Sequence, residues 1–353
     1  MNLRCRILIS LLLLGVIHAA VLCAGFLAPC DPGTQFRSFP YAPPARLHFV
    51  DSTGRFHLRP FVCDIMSSPE APGGYAEDPA KVRRIRFFVT GAADPAGTSK
   101  LHLFGVDQPG QIFLLGTDGF GRDQFSRLLY GGRVSLLSGV LATLVSLVLG
   151  ILFGTLAGFY GKWPDEIIMR GAELLLALPW LYCLLALRAF LPLSVSPQKT
   201  LVLLILVISL RGWARPARLI RGIVLSARER DFVLAARGFG ASNLYILVRH
   251  ILPQTLGVVL TQAALLIPQF ILAEVTLSFL GLGFGEPAPT WGNMLASLQR
   301  YSVLTSYWWM SLPALVLIPT FLGYQSLANA LHEWSLGGGA ASMEFVRKGS
   351  EEG

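Results

Sequence analysis

Six stretches of the chain stay apolar for about the 20 residues that a helix needs to cross the hydrocarbon of a bilayer. They fall at Ile7–Leu27, Val134–Tyr160, Ile167–Phe190, Leu201–Leu219, Thr255–Phe279 and Thr305–Leu327. The fourth is the shortest, because its uninterrupted apolar part stops at Leu210 and Arg211 follows. Trp213, Ala214, Ala217 and Leu219 extend it. Arg211, Arg215 and Arg218 then share one helical face, from which their side chains can snorkel to headgroups.

Between the first and second apolar stretches the pattern changes. Residues 29–115 lack long apolar runs and carry many Pro and Gly. Strand-like pieces recur at Arg46–Val50, Arg55–Phe61, Val82–Thr90 and Lys100–Val106, with Asp51-Ser52-Thr53-Gly54 reading as a hairpin turn. The expected architecture is therefore an all-α membrane protein of about six transmembrane helices. A small β-rich insertion follows the first helix. The segments are 1–28, the first helix; 29–115, the insertion; 116–334, five helices and a basic loop; and 335–353, a tail.

Composition supports the membrane class. The chain is 53% hydrophobic and only 14% charged, against about 25% charged in an average soluble domain. Its net charge of +8 needs no nucleic acid as partner, since Lys and Arg collect on the cytoplasmic loops of membrane proteins. Arg4 and Arg6 before the first span, Lys162, the eight arginines of 211–249, and Arg347 and Lys348 all fall inside on one topology. Both termini are then cytoplasmic, and 29–115 and the loop 280–304 lie outside. The first apolar run exceeds the 7–15 residues of a cleaved signal, so it reads as an uncleaved anchor.

Enzyme signatures are missing. No G-x-x-x-x-G-K-[ST] loop occurs, and the six histidines show no metal-ligand spacing. If the chain works against a gradient, another chain supplies the energy. Gly150, Gly154 and Gly158 have the spacing of a close helix contact. Glu173 and Glu274 lie in or near spans, and Glu274 is a candidate for lining a path. Pro179 and Pro268 are positions for kinks. Trp308 and Trp309 suit an interfacial belt. Cys30 and Cys63 both fall outside, where they either pair as a disulfide or stay free.

Three stretches are specific: Gly116–Leu136 (GTDGFGRDQFSRLLYGGRVSL), Trp213–Pro253 and Thr276–Leu295 (TLSFLGLGFGEPAPTWGNML). In order and spacing they closely resemble the inner-membrane permease subunits of ATP-driven importers for dipeptides, oligopeptides and nickel. The resemblance runs from about Leu115 to Trp334 and implies the type I ABC importer permease fold. The long insertion is a departure from many members. In that family a cytoplasmic loop docks into the ATPase through a Glu-Ala-Ala, Gly and Ile-Leu-Pro pattern. The matching residues here are Ala235, Ala236, Gly240 and Ile251-Leu252-Pro253. Leu234 stands at the Glu position and Asp231 lies three residues earlier, which puts a salt bridge from the Glu position in doubt.

The residues make the same stretch plausible for docking on their own terms. Ser226 and Glu229 have capping-box spacing, which predicts a helix from about Ser226. That helix carries Phe232, Val233, Ala235, Ala236 and Phe239, apolar groups that want a partner. Gly240 permits a turn, and Ser242 can cap the next helix. The resemblance further implies a second permease, two ATPase subunits that use ATP, an exported solute-binding protein, and a multi-pass place in the cell inner membrane. The chain itself would bind no cofactor or metal. The alternative class is a stand-alone ion-coupled carrier or channel, for which the chain offers few intramembrane ionisable groups.

Overall fold

The computed structural model describes residues 3–351 other than 52–53, 69, 72–73, 91–100, 108–109 and 190–195. Along the chain, α1 (Leu3–Leu22) and the short α2 (Ala24–Leu27) precede five strands. These are β1 (His48–Val50), β2 (Phe56–Ser67), β3 (Tyr75–Arg84), β4 (Arg86–Thr90) and β5 (Leu101–Gly105). Helices then follow: α3 (Gln124–Tyr160), α4 (Lys162–Ala177), α5 (Trp180–Ala189), α6 (Pro197–Gly212), α7 (Ala214–Ala227), α8 (Asp231–Gly238) and α9 (Asn243–Ile246). The last are α10 (Leu256–Phe279), α11 (Trp291–Ala296), α12 (Tyr301–Ser306) and α13 (Leu312–Glu351).

Among the described residues, four helical runs are long and apolar enough to cross a membrane: Leu3–Leu22, Gln124–Tyr160, Asn243–Phe279 and Trp308–Ser335. A fifth crossing forms if the pair 199–212 and 214–227, bent by 42°, counts as one span. The third expected span is not a single helix. α4 ends at Ala177, Leu178 is extended, and α5 starts beyond Pro179. Proline disfavours helical backbone in the residue before it, so Pro179 ends the helix rather than bending it. Phe190, the end expected for that span, lies outside the described residues. Leu8, Leu12, Leu144, Val148 and Leu322 turn their side chains out of the protein, where lipid would cover them.

The chain divides into two compact units. One comprises 1–15, 138–274 and 319–353. Its core is Phe159, Ile220, Val224, Ala227, Val233, Ile246 and Ile251, all buried. The glycine face of α3 packs on α7 here. A Cβ on Gly150 would sit 2.7 Å from Pro216, one on Gly154 2.5 Å from the Ala217 carbonyl, and one on Gly158 2.8 Å from Val224. Bare backbone therefore lets the two helices touch, and the contact lies within this chain. Arg221 is held by Asp165, and Arg6 by Glu333 at 2.8 Å. Asp165 lies in the first turn of α4, where a carboxylate also offsets the helix dipole.

The other unit comprises 16–137 and 275–318. β1, β2 and β3 form an antiparallel sheet in that order, and β4 pairs with β5. Four of the expected strand pieces thus lie on strands, while Ser52 and Thr53 of the expected turn, and Lys100, are outside the described residues. β3 was not expected over 75–81, because it is polar there and holds Pro79. The register explains how proline is accepted: Asp64 pairs with Asp78 but Cys63 pairs with Val82, so Pro79 sits in a bulge with no ladder bond to donate. A small core of Val62, Ile85 and Ile112 holds the strands, with Ala45, Phe104, Val106 and Leu114 around it. Trp309 is buried and its Nε1 donates to the Thr117 carbonyl at 3.0 Å, so it is a core residue; only Trp308 is exposed as a belt position would be. Cys30 and Cys63 are free thiols. Cys30 is half-buried against Ser126 Oγ at 3.5 Å, while Cys63 lies on β2. They are thus engaged on different elements and free, one of the two outcomes that the sequence leaves open.

Candidate functional site

Two sets of residues fall together. The first is the stretch between α7 and α10. Ser226 does not start a helix: the apolar stripe Ile220, Val224 and Ala227 holds α7 in place through Ala227. Glu229 turns to Arg228 at 3.6 Å instead of capping. The next helix, α8, begins at Asp231, with Arg230 extended as its N-cap. An acidic residue in this first turn suits the positive end of the helix dipole.

α8 ends in a Schellman turn. Gly240 N–H donates to the Arg237 carbonyl at 2.9 Å and Ala241 N–H to the Ala236 carbonyl at 3.0 Å. Gly240 takes φ +78°, the left-handed region that side chains resist, with open space where a Cβ would be. Ser242 then caps α9, its Oγ accepting from Tyr245 N–H at 3.3 Å. The chain passes through a π turn (Leu247–Ile251) and a 3₁₀ turn (Leu252–Thr255) that starts on Leu252-Pro253 before α10 begins.

Burial sorts these residues into anchors and surface. Val233, Ile246 and Ile251 are fully buried and tie the stretch to α3 and α7. Ala236 is half-buried against the same core, while Ala235, Asp231, Gly240 and Pro253 are exposed. Leu234 and Phe239 are exposed at 52% and 92%, and Leu244, Tyr245 and Phe232 join them. A short helix is thus held firmly from beneath and presents Phe, Leu, Tyr and Ala outward. A surface of this kind binds another protein by burying an aromatic anchor and allowing close approach at alanine. Glu274, the candidate path residue, is fully buried on α10.

The second set joins the first and third motif stretches, which are far apart in sequence. Asp118 accepts from Phe120 N–H at 2.8 Å, Arg122 N–H at 2.9 Å and Arg122 Nε at 2.7 Å. Arg122 also donates from Nη1 to Glu286 at 2.5 Å, and the buried Arg127 lies 3.5 Å from the same carboxylate. Opposite charge on both sides holds Arg122 protonated in spite of its burial. Trp291, wholly buried, donates from Nε1 to the Leu128 carbonyl at 2.9 Å, and Thr290 caps α11. Asp123 caps α3 by accepting from Ser126 N–H at 2.7 Å, and burial pushes its carboxyl up to about 6. The motif stretches are visible in the sequence, but the ion network joins residues far apart in it. The one signal was that charged residues recur in both.

A family model for the binding-protein-dependent transport system inner membrane component matches residues 150–334, a span that holds the whole docking stretch. That span is more than half of the chain. The chain belongs to this family. Among curated members it is 35% identical over 237 residues to the oligopeptide transport system permease protein of Bacillus subtilis, covering 67% of this chain and 75% of that one. It is 38% identical over 221 residues to the di/tripeptide transport system permease protein of Pseudomonas aeruginosa, covering 63% and 71%. Among solved structures it is similar to the inward-facing MetNI methionine ABC transporter, at 16% identity and a TM-score of 0.44, covering 60% of this chain and 97% of that one. As a member of this family, the chain is a transport permease subunit.

Proposed function

We propose that this chain forms half of the translocation path of an ATP-driven importer for peptides or a similar small solute, with the type I importer permease fold. A second permease completes the path, two ATPase subunits use the ATP, and an exported binding protein delivers the solute. The observation that carries this reading is the exposed face of α8 and α9, which is braced by buried Val233, Ile246 and Ile251 yet uncovered in the single chain. Asp231, Ala235, Ala236, Gly240, Ile251 and Pro253 set its shape, and ATPase closure pushes on it to rock the spans. The peptide assignment follows the names of the relatives at 35% and 38% identity.

In this reading both termini lie on the cytoplasmic side of the cell inner membrane, and 1–28, 29–115, 116–334 and 335–353 are its segments, with 29–115 exported. Six crossings require α4 and α5 together to make one. Glu274 meets the solute only in a conformation that uncovers it. The test is Phe239→Glu, chosen because this side chain is 92% exposed and free of the core. With partner ATPase, permease and binding protein co-expressed, the variant inserts normally, loses ATPase co-purification and loses uptake. Unchanged uptake and co-purification would overturn the docking role.

A further inference from the structure

The face of the β1-β2-β3 sheet gathers three metal-ligating side chains from three different strands. His48 pairs with Phe61 across β1 and β2. Cys63 and Ile65 stand two and four residues beyond Phe61, so strand alternation keeps them on its face. Ile65 pairs with Glu77 of β3, which brings that carboxylate to the same face. The His48 Nε2, Cys63 Sγ and Glu77 carboxylate positions all lie within 4.8 Å of one another. His48 Nε2 and Glu77 Oε2 are 2.9 Å apart, and both side chains are about one-third exposed, so an ion has a way in.

These distances suit coordination. Tetrahedral zinc with ligand bonds of about 2.0–2.3 Å sets its ligand atoms roughly 3.5 Å apart. The short His48–Glu77 edge must open slightly and the longest edge close by about 1.3 Å from its 4.8 Å limit, which side-chain torsions allow. One thiolate, one imidazole and one carboxylate select borderline-soft divalent ions over magnesium or calcium. Asp64 and Asp78 add negative charge near the sulfur, tempered by Arg83 on Asp64 and Lys81 on Asp78. His57, on the same face, is already bonded to Asp51 at 2.9 Å and is not counted as a ligand.

The sheet also has need of a clamp. Among the described residues, Val62, Ile85 and Ile112 form its buried cluster, while Phe49, Val50, Phe56 and Leu58 of β1 and β2 stand exposed. A core this small is commonly stapled by a disulfide or a metal, and Cys63 is a free thiol. We propose that His48, Cys63 and Glu77 bind a divalent transition-metal ion of the zinc type, which ties β1, β2 and β3 together.

The experiment uses the full-length chain in nanodiscs, stripped with chelator and titrated with Zn²⁺. Bound metal is counted and hydrogen exchange is followed over 48–67 and 75–84. A single ion per chain and slower exchange in those strands are expected. His48→Ala and Glu77→Gln should each weaken binding by about tenfold or more. With Co²⁺ in place of Zn²⁺, the thiolate charge-transfer absorption should vanish in Cys63→Ser and persist in Cys30→Ser. If Cys63→Ser fails to fold, protection of Cys63 from maleimide by Zn²⁺ in the unaltered chain answers the same question. Binding and exchange that ignore all three substitutions, or a Cys63 that Zn²⁺ leaves open to maleimide, would overturn the site.

Discussion

At the scale of single residues, Asp123 couples folding to pH. Its carboxyl caps α3 from a fully buried position, and burial raises it from 3.8 to about 6. Between those two pH values the folded chain holds a proton that the unfolded chain has released. Stability is therefore full below about pH 3.8 and falls as pH rises to about 6. Asp123→Asn can still cap the helix but carries no charge. It should raise the melting temperature in detergent at pH 7, with a gain on the order of 3 kcal/mol at most. The gain should shrink below pH 4, and a variant that melts below the parent at neutral pH would contradict this. Gly240 offers a second test. A valine there must adopt the left-handed backbone at a cost of about 1–2 kcal/mol, and limited proteolysis near 238–242 should speed up while the spans stay intact. The turn at Gly240 was legible, because glycine permits a backbone that other residues resist. The sequence could not show that Arg122 is held between Asp118 and Glu286, since Glu286 lies 164 residues from Arg122. Nor could spacing reveal His48, Cys63 and Glu77, whose meeting depends on strand register.

At the scale of elements, local signals were read well where tertiary packing agreed with them and failed where it did not. Ser242 caps α9 as its position implied, with a partner three residues on. Ser226 had equal credentials, yet Val224 and Ala227 pack into the core and carry α7 straight through it. The apolar stripe outweighs a cap of about 1 kcal/mol. The glycines of α3 were legible as a contact surface but not as to partner. The structure gives that partner as α7. Gly154→Leu is expected to force the helices apart, since its Cβ alone would meet the Ala217 carbonyl at 2.5 Å. The measurable result is loss of a monodisperse peak in size-exclusion chromatography, and a normal peak would show that the contact is dispensable. Pro179 was expected to bend a helix and instead divides α4 from α5, because the extended residue before it cannot continue the turn.

At the scale of the whole molecule, hydropathy alone gave the membrane class, and the order of three motifs gave the family. The count of crossings was less legible, because a span that is broken or bent looks the same as a straight one in a hydropathy trace. Strands between 48 and 105 were legible in part, and the attachment of their segment was not. Tyr41 N–H donates to the Asp118 carbonyl at 2.9 Å, Tyr41 stacks on Tyr307 at 4.2 Å, and Ala45 N–H donates to the Phe113 carbonyl at 2.8 Å. Residues 39–45 thus belong with 113–118. Replacing 46–112 by a short turn should leave a chain that inserts and stays folded, whereas a cut that begins at 40 should destabilise it. Detergent melting curves of the two deletions would separate these outcomes, and equal curves would deny the attachment a structural role. The hydrogen bond between Ala45 and Phe113 also has a consequence for the length of the segment it closes. A segment whose entrance and exit are one doorway can change in length without rerouting the residues that flank it.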